Sequence, residues 1–100
     1  MIDLDRLLAR IEHLGQVGAL PGGGCKRLAL SPEDAAGRAL VTAWFRDLGL
    51  EVTTDVIGNT WAIRPGLRVL PPVVMGSHID TVATGGLYDG TLGVLAGLEV

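Results

Sequence analysis

The sequence predicts an α/β fold made of two helices, a β-hairpin, a central strand and a further helix. Three observations predict it. Apolar residues recur at helical spacing in two early segments, and a run rich in β-branched residues and broken by Gly58-Asn59 follows them. A short all-apolar run then ends at Gly76-Ser77-His78, ahead of a last segment with a face of small residues.

In the first segment Ile2, Leu4, Leu7, Leu8, Ile11 and Leu14 recur at spacings of two to four, with charged residues between them and Gly15 as the stop. His13 falls on the polar edge, where a histidine is solvated. Residues 20–25 form a loop by their turn residues. They lack the Lys-Ser/Thr ending of a phosphate-binding loop and the spacing of a dinucleotide fingerprint, and they read as a flexible connection.

Ser31-Pro32-Glu33-Asp34 opens the second helix: a serine to cap, a proline suited to the first helical position, and two acids facing the positive end of the dipole. Ala36, Leu40, Ala43, Trp44 and Leu48 are the expected buried stripe, and Gly49 ends it. Residues 51–57 and 60–63 read as two strands turned by Gly58-Asn59. Residues 73–75 are a third, wholly apolar strand, as in the middle of a sheet covered on both faces. The last helix runs from Thr91, with Gly93, Ala96 and Gly97 able to lie close against that sheet.

Of 100 residues, 48% are hydrophobic and 19% charged, and mean hydropathy is +0.41. A chain this short has a small core relative to its surface, so its apolar faces are expected to need more chain to cover them. The net charge of −3 and the scatter of the eight basic residues exclude a nucleic-acid surface, which needs a basic stripe. The single cysteine, Cys25, cannot form an internal disulfide and reads as an incidental loop thiol. The acidic start has no apolar region of a signal peptide after it, and residues 69–75 are too short to span a membrane. A cytoplasmic protein with no membrane association is expected.

The chemistry begins at the end of the central strand, where open α/β sheets place their sites. His78 and Asp80 are two apart in extended chain, so both side chains point to one side. An imidazole that binds a metal through one nitrogen needs an acceptor on the other, and a nearby carboxylate provides it. Asp89 follows the expected turn at Gly85-Gly86, which returns a second oxygen donor towards His78. A different reading explains the same residues without a metal: Asp89 caps the last helix and His78 is a core histidine.

The wider context is more specific. Gly76-Ser-His-Ile-Asp-Thr-Val, then Gly-Gly-Leu-Tyr-Asp-Gly-Thr-Leu-Gly-Val-Leu-Ala-Gly-Leu-Glu-Val, resembles the amidase/hydantoinase/carbamoylase family of two-metal amidohydrolases. Upstream, Arg27-Leu-Ala-Leu-Ser, Glu33-Asp34, Trp44, Gly49-Leu50 and Asp55-Val-Ile-Gly-Asn59 extend the likeness to essentially the whole chain. The resemblance implies that residues 1–100 are the N-terminal part of an α/β/α, zinc-peptidase-like catalytic domain. It also implies two divalent ions (zinc, manganese or cobalt) and hydrolysis of non-peptide C–N bonds. N-carbamoyl-L-amino acids lead as substrates, with allantoate and 3-ureidopropionate next.

In that frame His78 is a ligand of one metal and Asp89 the carboxylate bridging both. Asp80, the catalytic position within the chain, is the carboxylate behind His78. The remaining ligands, a glutamate base and a second domain used for dimerisation and closure are implied downstream, with a homodimeric parent enzyme. Taken by itself the chain is expected to be inactive.

Overall fold

The computed structural model describes residues 1–100. Its elements are α1 (Leu4–Gly15), α2 (Pro32–Asp47), β1 (Glu51–Thr54), β2 (Thr60–Ile63) and α3 (Thr91–Glu99).

Both early helices start as their sequences dictate. In α1 the Asp3 carboxylate accepts the Arg6 N–H at 3.0 Å, and in α2 the Ser31 hydroxyl accepts the Asp34 N–H at 3.2 Å. Ile11 and Leu14 of α1 are buried with Val41 of α2 and Leu95 and Leu98 of α3, and Leu7, Leu40, Trp44, Phe45, Ile79, Leu87 and Val94 pack around them. Ile2, Leu4 and Leu8 remain exposed, so the apolar stripe of α1 is wider than the surface covering it. His13 is exposed as expected and meets Trp44 edge-on at 5.5 Å.

The buried face of α2 differs from the expected stripe. Asp34, Gly37 and Val41 point inward, while Ala36, Ala43 and Leu48 are exposed. The reason is Arg27, whose stem crosses Gly37 so closely that a Cβ there would lie 2.8 Å from Arg27 Cδ. Hydropathy does not mark a face built on a glycine and a capping aspartate.

β1 and β2 form an antiparallel pair in the register Glu51↔Ile63 to Thr54↔Thr60. β1 is shorter than the expected 51–57. The Asp55 carboxylate accepts the N–H groups of Ile57 (3.1 Å) and Asn59 (2.9 Å), the Asn59 side-chain amide (2.9 Å) and the Trp61 indole (3.1 Å). These bonds curl the chain into a turn and leave Val56 and Ile57 exposed. Chiefly through the Trp61 and Asn59 side chains, they pull the Asp55 carboxyl down to about 2.

The expected central strand is not formed. Residues 73–75 carry no ladder, and Val73 is 92% exposed. A strand exists by pairing, and the only sheet in the chain is the two-stranded β1–β2 pair. With its apolar faces bare, the molecule is a slab of 48 × 34 × 19 Å with 6951 Å² of accessible surface. A self-contained globular protein of this mass exposes about 5,400 Å². No helix is long and apolar enough to cross a membrane.

The two ends of the chain are joined through a buried carboxylate. Glu99, its side chain 1% exposed, binds Arg6, accepts the Asp3 N–H at 2.8 Å and pairs with Arg10 at 3.2 Å. Hydrogen bonding from Arg6, then from the Asp3 amide, holds its carboxyl down to about 2. A carboxylate so held takes up no proton near neutrality, and its part is to tie the two helices α1 and α3 together.

Candidate metal centre

Small residues position the site. The segment 75–78 runs against α3, where a Cβ on Gly93 would lie 2.8 Å from Ser77 Cβ and one on Gly97 3.7 Å from Met75 Cβ. The small-residue face thus lets the extended chain lie close to the helix and delivers His78 to its first turn. Gly90, at φ +73°, is the N-cap of α3, and a Cβ on it would overlap the His78 ring and carbonyl. The Asp-Gly step before the helix has both a conformational and a steric reason.

His78 Nδ1 lies 3.0 Å from the Asp80 carbonyl oxygen and 3.3 Å from its Oδ1. A carbonyl can only accept, so this contact calls for a proton on Nδ1, and in the neutral ring Nε2 then keeps its lone pair. Nε2 faces Asp89 Oδ1 across 3.9 Å. Asp80 and Asp89 therefore stand at opposite nitrogens of one imidazole, and the main chain of Asp80 makes the shorter of its two contacts.

Neither metal-free explanation matches this arrangement. The His78 side chain is 51% exposed, which is not a core histidine. Asp89, 75% exposed, does not cap α3, whose N-terminus has no side-chain cap bond.

Two donors on a tetrahedral ion at 2.0–2.2 Å stand roughly 3–3.5 Å apart, and a small side-chain rotation takes the observed 3.9 Å there. The chemistry of the pair, one imidazole nitrogen and one carboxylate, fits a divalent ion. No group of three or more His, Cys, Asp or Glu close enough to hold an ion occurs in the chain.

The turn that returns Asp89 lies at residues 83–84 rather than at Gly85-Gly86. Gly85 pairs with Cys25 through two backbone hydrogen bonds of 2.8 and 2.9 Å. A side chain on Gly85 would crowd Thr81 Cβ at 2.8 Å. Leu87 fills the space over Gly15 at the end of α1. The loop of residues 20–25, expected to be a flexible connection, is thus partly a strap that continues to Arg27. Its Cys25 is buried, donating from Sγ to the Val17 carbonyl at 3.3 Å, and is no incidental loop thiol. No sequence signal points to Cys25, Arg27 and Thr81 as site-forming, because their partners lie more than fifty residues away or act through main-chain atoms.

Comparison with known proteins bears on the family and on the backbone course. No family model matches the chain. An N-carbamoyl-L-amino-acid amidohydrolase of Pseudomonas sp. (strain NS671) is 47% identical over 100 residues, which is 99% of this chain and 24% of that protein. The allantoate amidohydrolase of Bacillus subtilis (strain 168) is 40% identical over 89 residues, 88% of this chain and 22% of that protein. The crystal structure of a hydantoinase/carbamoylase family amidase from Burkholderia ambifaria superposes with a TM-score of 0.95 at 46% identity, over 98% of this chain and 24% of that one. The chain spans about a quarter of the length of these relatives, and by sequence and backbone course alike it belongs to the hydantoinase/carbamoylase amidase family.

Proposed function

We propose that residues 1–100 are the N-terminal part of the α/β/α, zinc-peptidase-like catalytic domain of a metal-dependent amidohydrolase of non-peptide C–N bonds. N-carbamoyl-L-amino acids are its leading substrate class. The observation that carries this reading is the His78 imidazole, with Asp80 on Nδ1 and Asp89 facing Nε2, in a chain 47% identical to the Pseudomonas amidohydrolase. The Bacillus relative keeps allantoate as the next candidate, with 3-ureidopropionate beside it.

His78 Nε2 and the Asp89 carboxylate would hold divalent ions, two in the complete site, zinc, manganese or cobalt. Such ions, when bound, supply a lowered water pKa and a polarised substrate carbonyl. Asp80 keeps the proton on Nδ1, so that Nε2 presents its lone pair, and it fixes the ring plane. Two donors do not close the shell of even one ion, which takes four. The remaining ligands, the proton-carrying base and the lid and dimerisation domain of a homodimer belong to further chain. That chain also covers the bare apolar faces. A buried, unpaired Cys25 fits a cytoplasmic setting.

The same donor count favours a second statement: the 100 residues by themselves do not turn over substrate. Two measurements test the pair of readings. The isolated chain with added zinc, manganese or cobalt is expected to leave N-carbamoyl amino acids intact. Turnover that follows it through purification and vanishes in His78→Ala contradicts this. Placed instead of the matching quarter of the Pseudomonas enzyme, the chain is expected to support hydrolysis that His78→Ala or Asp89→Ala abolishes. Asp80→Asn should weaken the chimera's metal affinity about 10–100-fold. A folded, active chimera indifferent to all three substitutions sinks the proposal.

A further inference from the structure

Arg27 is buried, yet no carboxylate meets it. Its guanidinium is held by neutral acceptors: the carbonyls of Leu14 (2.9 Å) and Val17 (2.7 Å) at the end of α1, Ile79 (2.8 Å), and Cys25 Sγ (3.2 Å). The negative end of the α1 dipole favours a cation there. Burying a guanidinium is nevertheless costly, and only a planar fork of donors reaches these acceptors together.

The bonds of Arg27 bracket Asp80. On one side Nε–H donates to the Ile79 carbonyl. On the other, the Thr81 N–H donates to the Arg27 carbonyl at 2.8 Å, and the Arg27 N–H donates to Thr81 Oγ1 at 2.8 Å. The Thr81 N–H and the Asp80 C=O belong to one planar trans peptide, so they point in opposite directions. Tying the N–H to Arg27 turns the Asp80 carbonyl away from the strap and towards His78 Nδ1.

We propose that Arg27 is a positioning residue for the metal centre: through Ile79 and Thr81 it orients the Asp80 peptide, which selects the His78 tautomer that leaves Nε2 free. The consequence for metal binding rests on the reading of His78 and Asp89 as ligands; the tautomer does not. The neutral ring of a solvated histidine side chain favours its proton on Nε2, so the Nδ1–H form of His78 reports the device directly.

The test is ¹⁵N NMR of histidine-labelled chain at about pH 8.5, above the ordinary imidazole range near 6.5, with exposed His13 as internal reference and α1 and α2 amides reporting the fold. The wild-type His78 proton is expected on Nδ1. In Arg27→Lys it should move largely to Nε2 while the helix amides and His13 stay in place. Thr81→Val should shift it the same way, and Thr81→Ser should restore it.

Zinc titration of the same samples should move His78 before His13, and Arg27→Lys should need about tenfold more zinc. A tautomer switch with no wild-type zinc response at His78 leaves the role of Arg27 standing and removes the metal reading. The role of Arg27 is overturned by a wild-type His78 protonated on Nε2. It is also overturned if folded Arg27→Lys and Thr81→Val both keep the Nδ1 proton, or if both lose their helix amides, which would assign Arg27 to the fold alone.

Discussion

The His78 ring occupies the space in which a side chain on Gly90 would begin, and Gly90 holds φ +73°. One residue thus starts α3 and leaves room for the imidazole. Gly90→Ala is expected to destabilise the chain by about 1–3 kcal/mol through backbone strain and to displace the His78 ring. Gly86→Ala, where a Cβ meets nothing within 4 Å, should stay within about 0.5 kcal/mol of wild type. Urea unfolding of the two variants side by side checks this, and equal losses would contradict it.

Acid should loosen the chain through two carboxylates. Glu99 is lowered from 4.5 to about 2, first by Arg6, and Asp55 from 3.8 to about 2, first by Trp61. A carboxylate depressed in the folded state contributes stability above its unfolded pKa and loses it as pH falls through the folded one. Stability should therefore decline between pH 4.5 and about 2. Glu99→Gln and Asp55→Asn should each flatten that acid limb while lowering stability at neutral pH. Denaturation midpoints across this range decide it, and a wild-type curve that rises towards acid would be the contrary result.

Leu30 is fully exposed with φ +65°, a left-handed conformation that costs an ordinary side chain about 1 kcal/mol. Its N–H donates to Asp34 Oδ2 at 3.0 Å, which holds the chain in that shape ahead of α2. Leu30→Asn keeps the N–H and tolerates the conformation, so it should stabilise the chain by about 0.5–1 kcal/mol. A lowered thermal midpoint would refute this.

Leu67, Val69 and Val73 are almost wholly exposed, and Leu70, Val74 and Met75 more than half. An apolar strip of this kind drives association. The isolated chain is expected to self-associate and to melt broadly, and Val69→Ser with Val73→Ser should shift it towards monomer in light scattering. A monodisperse wild-type monomer with a sharp transition would speak against uncovered faces.

Local signals and long-range ones were legible to different degrees. The start of α2, the Gly15 and Gly49 stops and the β1–β2 hairpin lie within a few residues of the side chains that cause them, so capping and periodicity reach them. His78, Asp80 and Asp89 stand out as a short run, but their residue types alone also fitted a helix cap and a core histidine, and only the structure shows them around one imidazole.

Residues 73–75 show the limit of that reading. Their composition is that of a buried strand, but a strand needs a hydrogen-bonded neighbour, and these 100 residues contain none for it. The inward face of α2 shows it again, because a glycine faces the core where the Arg27 stem passes.

By itself the sequence determined which segments are helical and where the hairpin turns, since each depends on contacts a few residues long. Only the tertiary structure decided how the site is held. The Cys25–Gly85 pair and the Arg27–Thr81 bonds join segments more than fifty residues apart. Several of these bonds run through main-chain N–H and C=O groups that every residue type but proline carries alike, so no side-chain pattern announces them.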